Sequence, residues 1–141
     1  MILQFLLAVM FIGGFLFGGA PLSAQDQFYR GKVVRVIVGF PPGGGYDTYA
    51  RLIARHMGKY VAGNPTIVVE NMSGASSMIS ANHMFRVAKA DGLTIGHFIG
   101  GLFLQQILGK PGIEFDARKF EYIGAPAQDN FIMGLHKNTG F

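Results

Sequence analysis

The chain has 141 residues, a length suited to one domain; half of them are hydrophobic and 14% are charged, which excludes a disordered chain. The net charge of +4 favours anionic partners, but the Lys and Arg residues form no cluster and accompany no nucleic-acid motif. Cysteine is absent, which removes disulfides, thiolate metal sites and a cysteine nucleophile.

From Met1 to about Ala20 the chain is almost purely apolar, with Gln4 as the one polar interruption. Pro21-Leu22-Ser23-Ala24 follows, then the polar Gln25-Asp26-Gln27. An apolar run with a small-residue exit reads as a secretory signal over residues 1–24, cleaved near Ala24. No Lys or Arg precedes the run, and an uncleaved membrane anchor is the other reading. Either one puts the remainder outside the cytoplasm or at its boundary.

Lys32–Val38 is rich in β-branched residues and predicts a strand buried on both faces. Gly39-Phe40-Pro41-Pro42-Gly43-Gly44-Gly45 breaks regular structure, and Tyr46-Asp47-Thr48 offers an N-cap. Ala50, Ile53, Met57 and Tyr60 then recur at helical spacing until Gly63-Asn64-Pro65. Thr66–Glu70 predicts a second strand and Asn71–Ser77 a second turn-rich loop. Ser76 or Ser77 caps the next helix, which is expected to bury Ile79, Met84, Val87 and Ala88 or their neighbours. A third strand is expected over Leu93–Phe98, followed by Gly100-Gly101 and a short apolar segment from Leu102 to Leu108. Phe115–Phe120 is turn-like, and Glu121–Ala125 and Phe131–Leu135 are two more short strand candidates. Strand, loop and helix alternate, which predicts an α/β fold with a mostly parallel sheet. In such sheets ligands sit beyond the carboxyl ends of the strands, where all three glycine-containing loops should gather.

The loop from Val38 to Asp47 carries the strongest chemical signal. Its prolines stiffen it, its glycines permit close backbone approach, and the helix start behind it favours anions. An ordinary glycine-rich turn is the equal alternative. Neither GxxxxGK[ST] nor GxGxxG is present. Asn71, Ser73, Ser76 and Ser77 give the second loop hydrogen-bonding groups, although capping explains such residues equally well. His56, His83, His97 and His136 show no metal-ligand spacing, and His56 and His83 read as solvated helix residues. The serines lack a GxSxG elbow, so no catalytic constellation, metal or cofactor is expected.

Several of these strings together resemble one family. They are Tyr29-Arg30-Gly31-Lys32, Val36-Ile37-Val38, Phe40-Pro41-Pro42-Gly43-Gly44-Gly45 with Asp47, and Ala50-Arg51-Leu52. They continue with Val68-Val69-Glu70-Asn71, Gly74-Ala75, Ala90-Asp91-Gly92-Leu93-Thr94, and Phe120 ahead of Ile123-Gly124-Ala125. From Tyr29 to about Phe141 the chain is similar to the extracytoplasmic solute receptors of tripartite tricarboxylate transporters, the Bug family. The resemblance implies a two-lobed periplasmic-binding-protein fold of the type II kind, with the first lobe over 25–120 and a crossover and the start of the second lobe over 121–141. Family members are longer, so it also implies a truncated chain. It implies capture of a small di- or tricarboxylate or related metabolite in the periplasm for the membrane permease subunits of the transporter, without catalysis.

Carried onto this sequence, the ligand contacts implied are Phe40, Pro41, Pro42, Gly43, Gly44, Gly45 and Asp47 in the first loop. Asn71, Ser73, Gly74, Ala75, Ser76 and Ser77 supply the second, with Gly100, Gly101 and Gln128 beyond. The second loop departs from the family, whose members are richer there in Gly and Pro, at Met72, Ser73, Ser76 and Ser77. Two other readings are an exported hydrolase or transferase using the glycine loop as an oxyanion hole, and a ligand-sensing module.

Overall fold

The computed structural model describes residues 28–127. The expected signal or anchor over 1–24, Gln128 and the strand candidate Phe131–Leu135 lie outside the described residues. Among the described residues three strands and three helices follow one another: β1 (Val33–Val38), α1 (Gly45–Met57), β2 (Thr66–Asn71), α2 (Met78–Arg86), β3 (Thr94–His97) and α3 (Leu102–Ile107). Short 3-10 turns lie at Gly58–Tyr60, Ala75–Ser77 and Ala117–Lys119.

The sheet is parallel in the order β2-β1-β3, as the alternation of elements predicts. Central β1 starts with alternating exposure and ends buried on both faces at Val36, Ile37 and Val38. Its register pairs Val38 with Asn71 on one side and with His97 on the other. The three strands therefore end in line, and the three loops start from one edge. Two backbone bonds tie that edge: the Met72 amide donates to the Val38 carbonyl at 2.8 Å and the Gly39 amide to the His97 carbonyl at 3.0 Å.

Successive strand residues point to opposite faces. On one face Val36 and Val38 pack against Ala50 of α1, with Phe40, Tyr46, Ile67, Val69 and Ile95 around them. The small Ala50 lets α1 lie close to the sheet. A second core unites Ala81 of α2, Leu102 of α3 and Phe115, with Phe85, Phe98, Phe103 and Phe120 at its border. Phe115 and Phe120 rings stand 5.8 Å apart, and the Phe103 and Tyr122 rings meet edge-on at 5.4 Å.

Three expectations are corrected. Ile53 (39% exposed) and Tyr60 (80%) do not share the buried stripe of α1. The helix gives way to a 3-10 turn at Gly58, and the change from 3.6 to 3.0 residues per turn rotates Tyr60 off the stripe. In α2, Ile79 and Val87 are exposed while Ser77, Ser80 and Ala81 are buried; the i, i+3, i+4 face that meets the sheet is made of small residues rather than large ones. Glu121–Ala125 forms no strand and is exposed. Its Tyr122 is held instead by a hydroxyl bond to the Ala117 carbonyl at 2.7 Å.

Candidate functional site

The first loop leaves β1 at Gly39. Its φ is not positive, so glycine is needed there for space. A Cβ at this position would lie 2.5 Å from both Cβ and Oγ of Ser77 and 2.7 Å from Oγ of Ser80. Both serines are fully buried. The Ser77 hydroxyl also points at the Gly39 carbonyl, at a long 3.4 Å. The first and second loops thus touch at this glycine.

Helix α1 begins three residues earlier than Asp47 would allow as a cap. Gly44 takes the N-cap place without a side-chain cap, and Gly43 adopts φ +82°, the left-handed region that glycine enters without strain. Asp47 lies inside the first turn and is 3% exposed. Its Oδ2 accepts from the Gly43 amide at 2.8 Å, the reach-back of a capping box displaced by one residue. The same Oδ2 accepts from Arg51 Nε at 2.9 Å, one turn along the helix.

Asn71, the last residue of β2, closes the network. Its amide nitrogen donates to the Phe40 carbonyl at 2.9 Å and to Asp47 Oδ1 at 2.8 Å, and its Oδ1 accepts from Arg51 Nη2 at 3.0 Å. Both N–H groups and the carbonyl of this side chain are therefore engaged within the protein. Hydrogen bonds from Arg51, then from Gly43 and Asn71, hold the Asp47 carboxyl well below the usual carboxylate range despite its burial. It is a buried, paired carboxylate, and the guanidinium beside it cancels its charge. The positive end of the α1 dipole also lies at this edge.

The second loop carries the least ordinary backbone. Gly74 sits at φ +143°, where a Cβ would meet Ile79 Cδ1 at 2.4 Å. Ala75, Ser76 and Ser77 follow at φ 46°, 52° and 72°. Three consecutive non-glycine residues in the left-handed region cost about 1–2 kcal/mol each. The structure holds them through buried Ser77 and the Ser80 hydroxyl, which donates to the Ser77 carbonyl at 2.9 Å. Ser77 stands at the N-cap of α2 but makes no side-chain cap bond, contrary to expectation, because its hydroxyl turns toward Gly39.

The expected site residues separate into two kinds. Pro41, Pro42, Gly43, Gly44 and Gly45 are exposed at the mouth of the first loop, as are Ser73, Ala75 and Ser76 on the second. Asp47, Asn71 and Ser77 face inward and are used by the protein itself. Gly100 and Gly101 are exposed at the start of α3, which joins the rest through β3 and through the packing of Leu102 with Ala81 of α2. Sequence reasoning missed Arg51 and His97. Arg51 was legible from its i+4 spacing to Asp47. His97 ends β3 at the same edge, its ring 5.1 Å from that of Tyr46, which stacks on Phe40 at 4.4 Å. Burial lowers the His97 pKa, against a hydrogen bond with the Tyr46 backbone.

Among the described residues no group of His, Asp or Glu is placed to hold a metal ion, and no serine hydroxyl is paired with a histidine. What the edge offers is neutral: exposed glycine backbone, two exposed serine hydroxyls and a helix start.

No protein-family model matches the chain. A relationship to the Bug proteins is supported by one curated relative. The chain is 40% identical over 76 residues to Protein BugT of Bordetella pertussis, a stretch that covers 54% of this chain and 22% of that protein.

Proposed function

We propose that this α/β unit is the first lobe of an extracytoplasmic solute-binding protein of the periplasmic type II kind, with a second lobe beginning near residue 121. Its ligand is a small carboxylate, a di- or tricarboxylate or related metabolite. Its partner is the membrane permease of a tripartite tricarboxylate transporter, to which it delivers that ligand without chemistry. Residues 1–24 export it to the periplasm.

One observation carries the reading: two polar loops meet at the carboxyl edge of a parallel sheet, in contact at Gly39 and Ser77, beside the start of α1. A carboxylate there meets backbone amides, serine hydroxyls and the positive end of a helix. The similarity to Protein BugT points the same way.

The test is thermal melting of the full chain with citrate, succinate, malate, glutamate and uncharged controls. A ligand at a hundred times its Kd adds about 2.7 kcal/mol to the folded state. For a domain of this size that raises Tm by roughly 10 °C. A shift with one or two acids and none with the controls is expected. No shift across the panel refutes carboxylate binding by this lobe.

A further inference from the structure

The first loop is gripped from two sides. Toward α2 the grip is steric, at Gly39 against Ser77 and Ser80. Toward α1 it is polar and is built from three side chains on two elements. Asp47 holds the Gly43 amide, Asn71 holds the Phe40 carbonyl, and the two side chains hold each other. Arg51 spans both from outside, half-exposed where Asp47 is buried. Asn71 ends β2, where the second loop starts, and its side chain grips the first loop. Both oxygens of the Asp47 carboxylate, and both N–H groups and the oxygen of the Asn71 amide, already serve partners inside the protein.

We propose that Asp47, Arg51 and Asn71 form a positioning latch that fixes the glycine loop against the serine loop, and that Asp47 and Asn71 serve this latch rather than ligand. Asp47 and Asn71 thereby move from ligand contacts to supports, and Arg51 joins them. The consequence for binding rests on the receptor reading above; the coupling of the two loops does not. The latch resists replacement because each partner has a distinct geometry. Lysine in place of Arg51 keeps the charge but cannot serve Asp47 and Asn71 together through one planar fork.

The test is amide hydrogen exchange on the full chain without ligand, comparing wild type with Asp47→Asn, Arg51→Lys and a control, Arg118→Gln, which breaks an exposed ion pair remote from the loops. With Asp47→Asn, the Gly43 amide and the amides of Ser73–Ser77 should exchange roughly tenfold faster or more, the scale of a lost bond to a charged group. The amides of Val36–Val38 should be unchanged. Arg51→Lys should give a smaller change at the same amides, and Arg118→Gln none. If Asp47→Asn does not fold, Arg51→Lys alone decides, by the same amides. Faster exchange at Gly43 with none at Ser73–Ser77 overturns the coupling, as does equal acceleration throughout the sheet. Because no ligand is present, these outcomes are independent of the carboxylate panel.

Discussion

Gly39→Ala isolates the contact between the two loops. The added methyl group would stand 2.5 Å from Ser77 Cβ and 2.7 Å from Ser80 Oγ, well inside van der Waals contact. The backbone dihedrals at residue 39 accept alanine, so the whole penalty is steric. Ser80 can rotate its hydroxyl away by giving up its bond to the Ser77 carbonyl. Ser77 Cβ is fixed to the backbone and cannot move alone. Overpacking of a closed site costs about 1–3 kcal/mol, and the short stiff neighbours place this case near 2–3 kcal/mol. With a urea m-value of about 1–3 kcal/mol/M, the midpoint falls by roughly 1–2 M at unchanged m. Ser77→Gly removes the obstructing Cβ and relieves a left-handed residue, so the double variant should recover most of the loss, with a coupling of about 1–2 kcal/mol. A Gly39→Ala midpoint within about 0.3 M of wild type, or no rescue by Ser77→Gly, would refute the close approach.

The other predictions concern charge, backbone and core. Asp47, held down by Arg51, and Asp116, drawn to about 2 by Arg118, have folded pKa values below those of the unfolded chain. Their contribution is present above the ordinary carboxylate pKa of about 4 and is lost as pH falls toward the folded values. Melting curves between pH 5 and pH 2 should therefore decline, and less steeply in Asp47→Asn; an identical slope would show the carboxylate to be unpaired. Ala75→Gly should stabilise by about 0.5–1 kcal/mol, the left-handed penalty less glycine's entropy, and a loss in urea denaturation would contradict the left-handed turn. Leu102→Ala, at a fully buried position, should cost about 2–5 kcal/mol, while Leu108→Ala, 74% exposed, should stay within about 0.5 kcal/mol.

The alternation of elements and the parallel sheet were legible because β1 and β2 are runs of β-branched residues and each is followed by glycine, proline or asparagine. Gathering of the loops at one edge followed from topology alone. The left-handed turn was not legible, since Ala75-Ser76-Ser77 contains no glycine and the conformation is imposed by what Ser77 packs against. Glu121–Ala125 has a strand's composition but finds no neighbouring ladder, and composition carries no information about neighbours. In the site, Asp47 stood out in the sequence beside the glycines, and the structure shows its carboxylate bonded to the Gly43 amide, Arg51 and Asn71. Its partners, Arg51 and Asn71, lie on different elements, so only the fold brings all three together.

Among the described residues every backbone ladder in the sheet includes β1, and both of its partners come later in the chain. The first strand must therefore wait, and each pairing closes a long segment before ladder bonds repay the loss of freedom. β2 comes next in the sequence and sets Asn71 opposite Val38. Only β3 brings the His97 carbonyl that takes the Gly39 amide. The start of the glycine loop is thus tied to both neighbouring strands. Loss of either ladder would release one anchor of that loop, so its order depends on strands that lie some thirty to sixty residues away in the sequence.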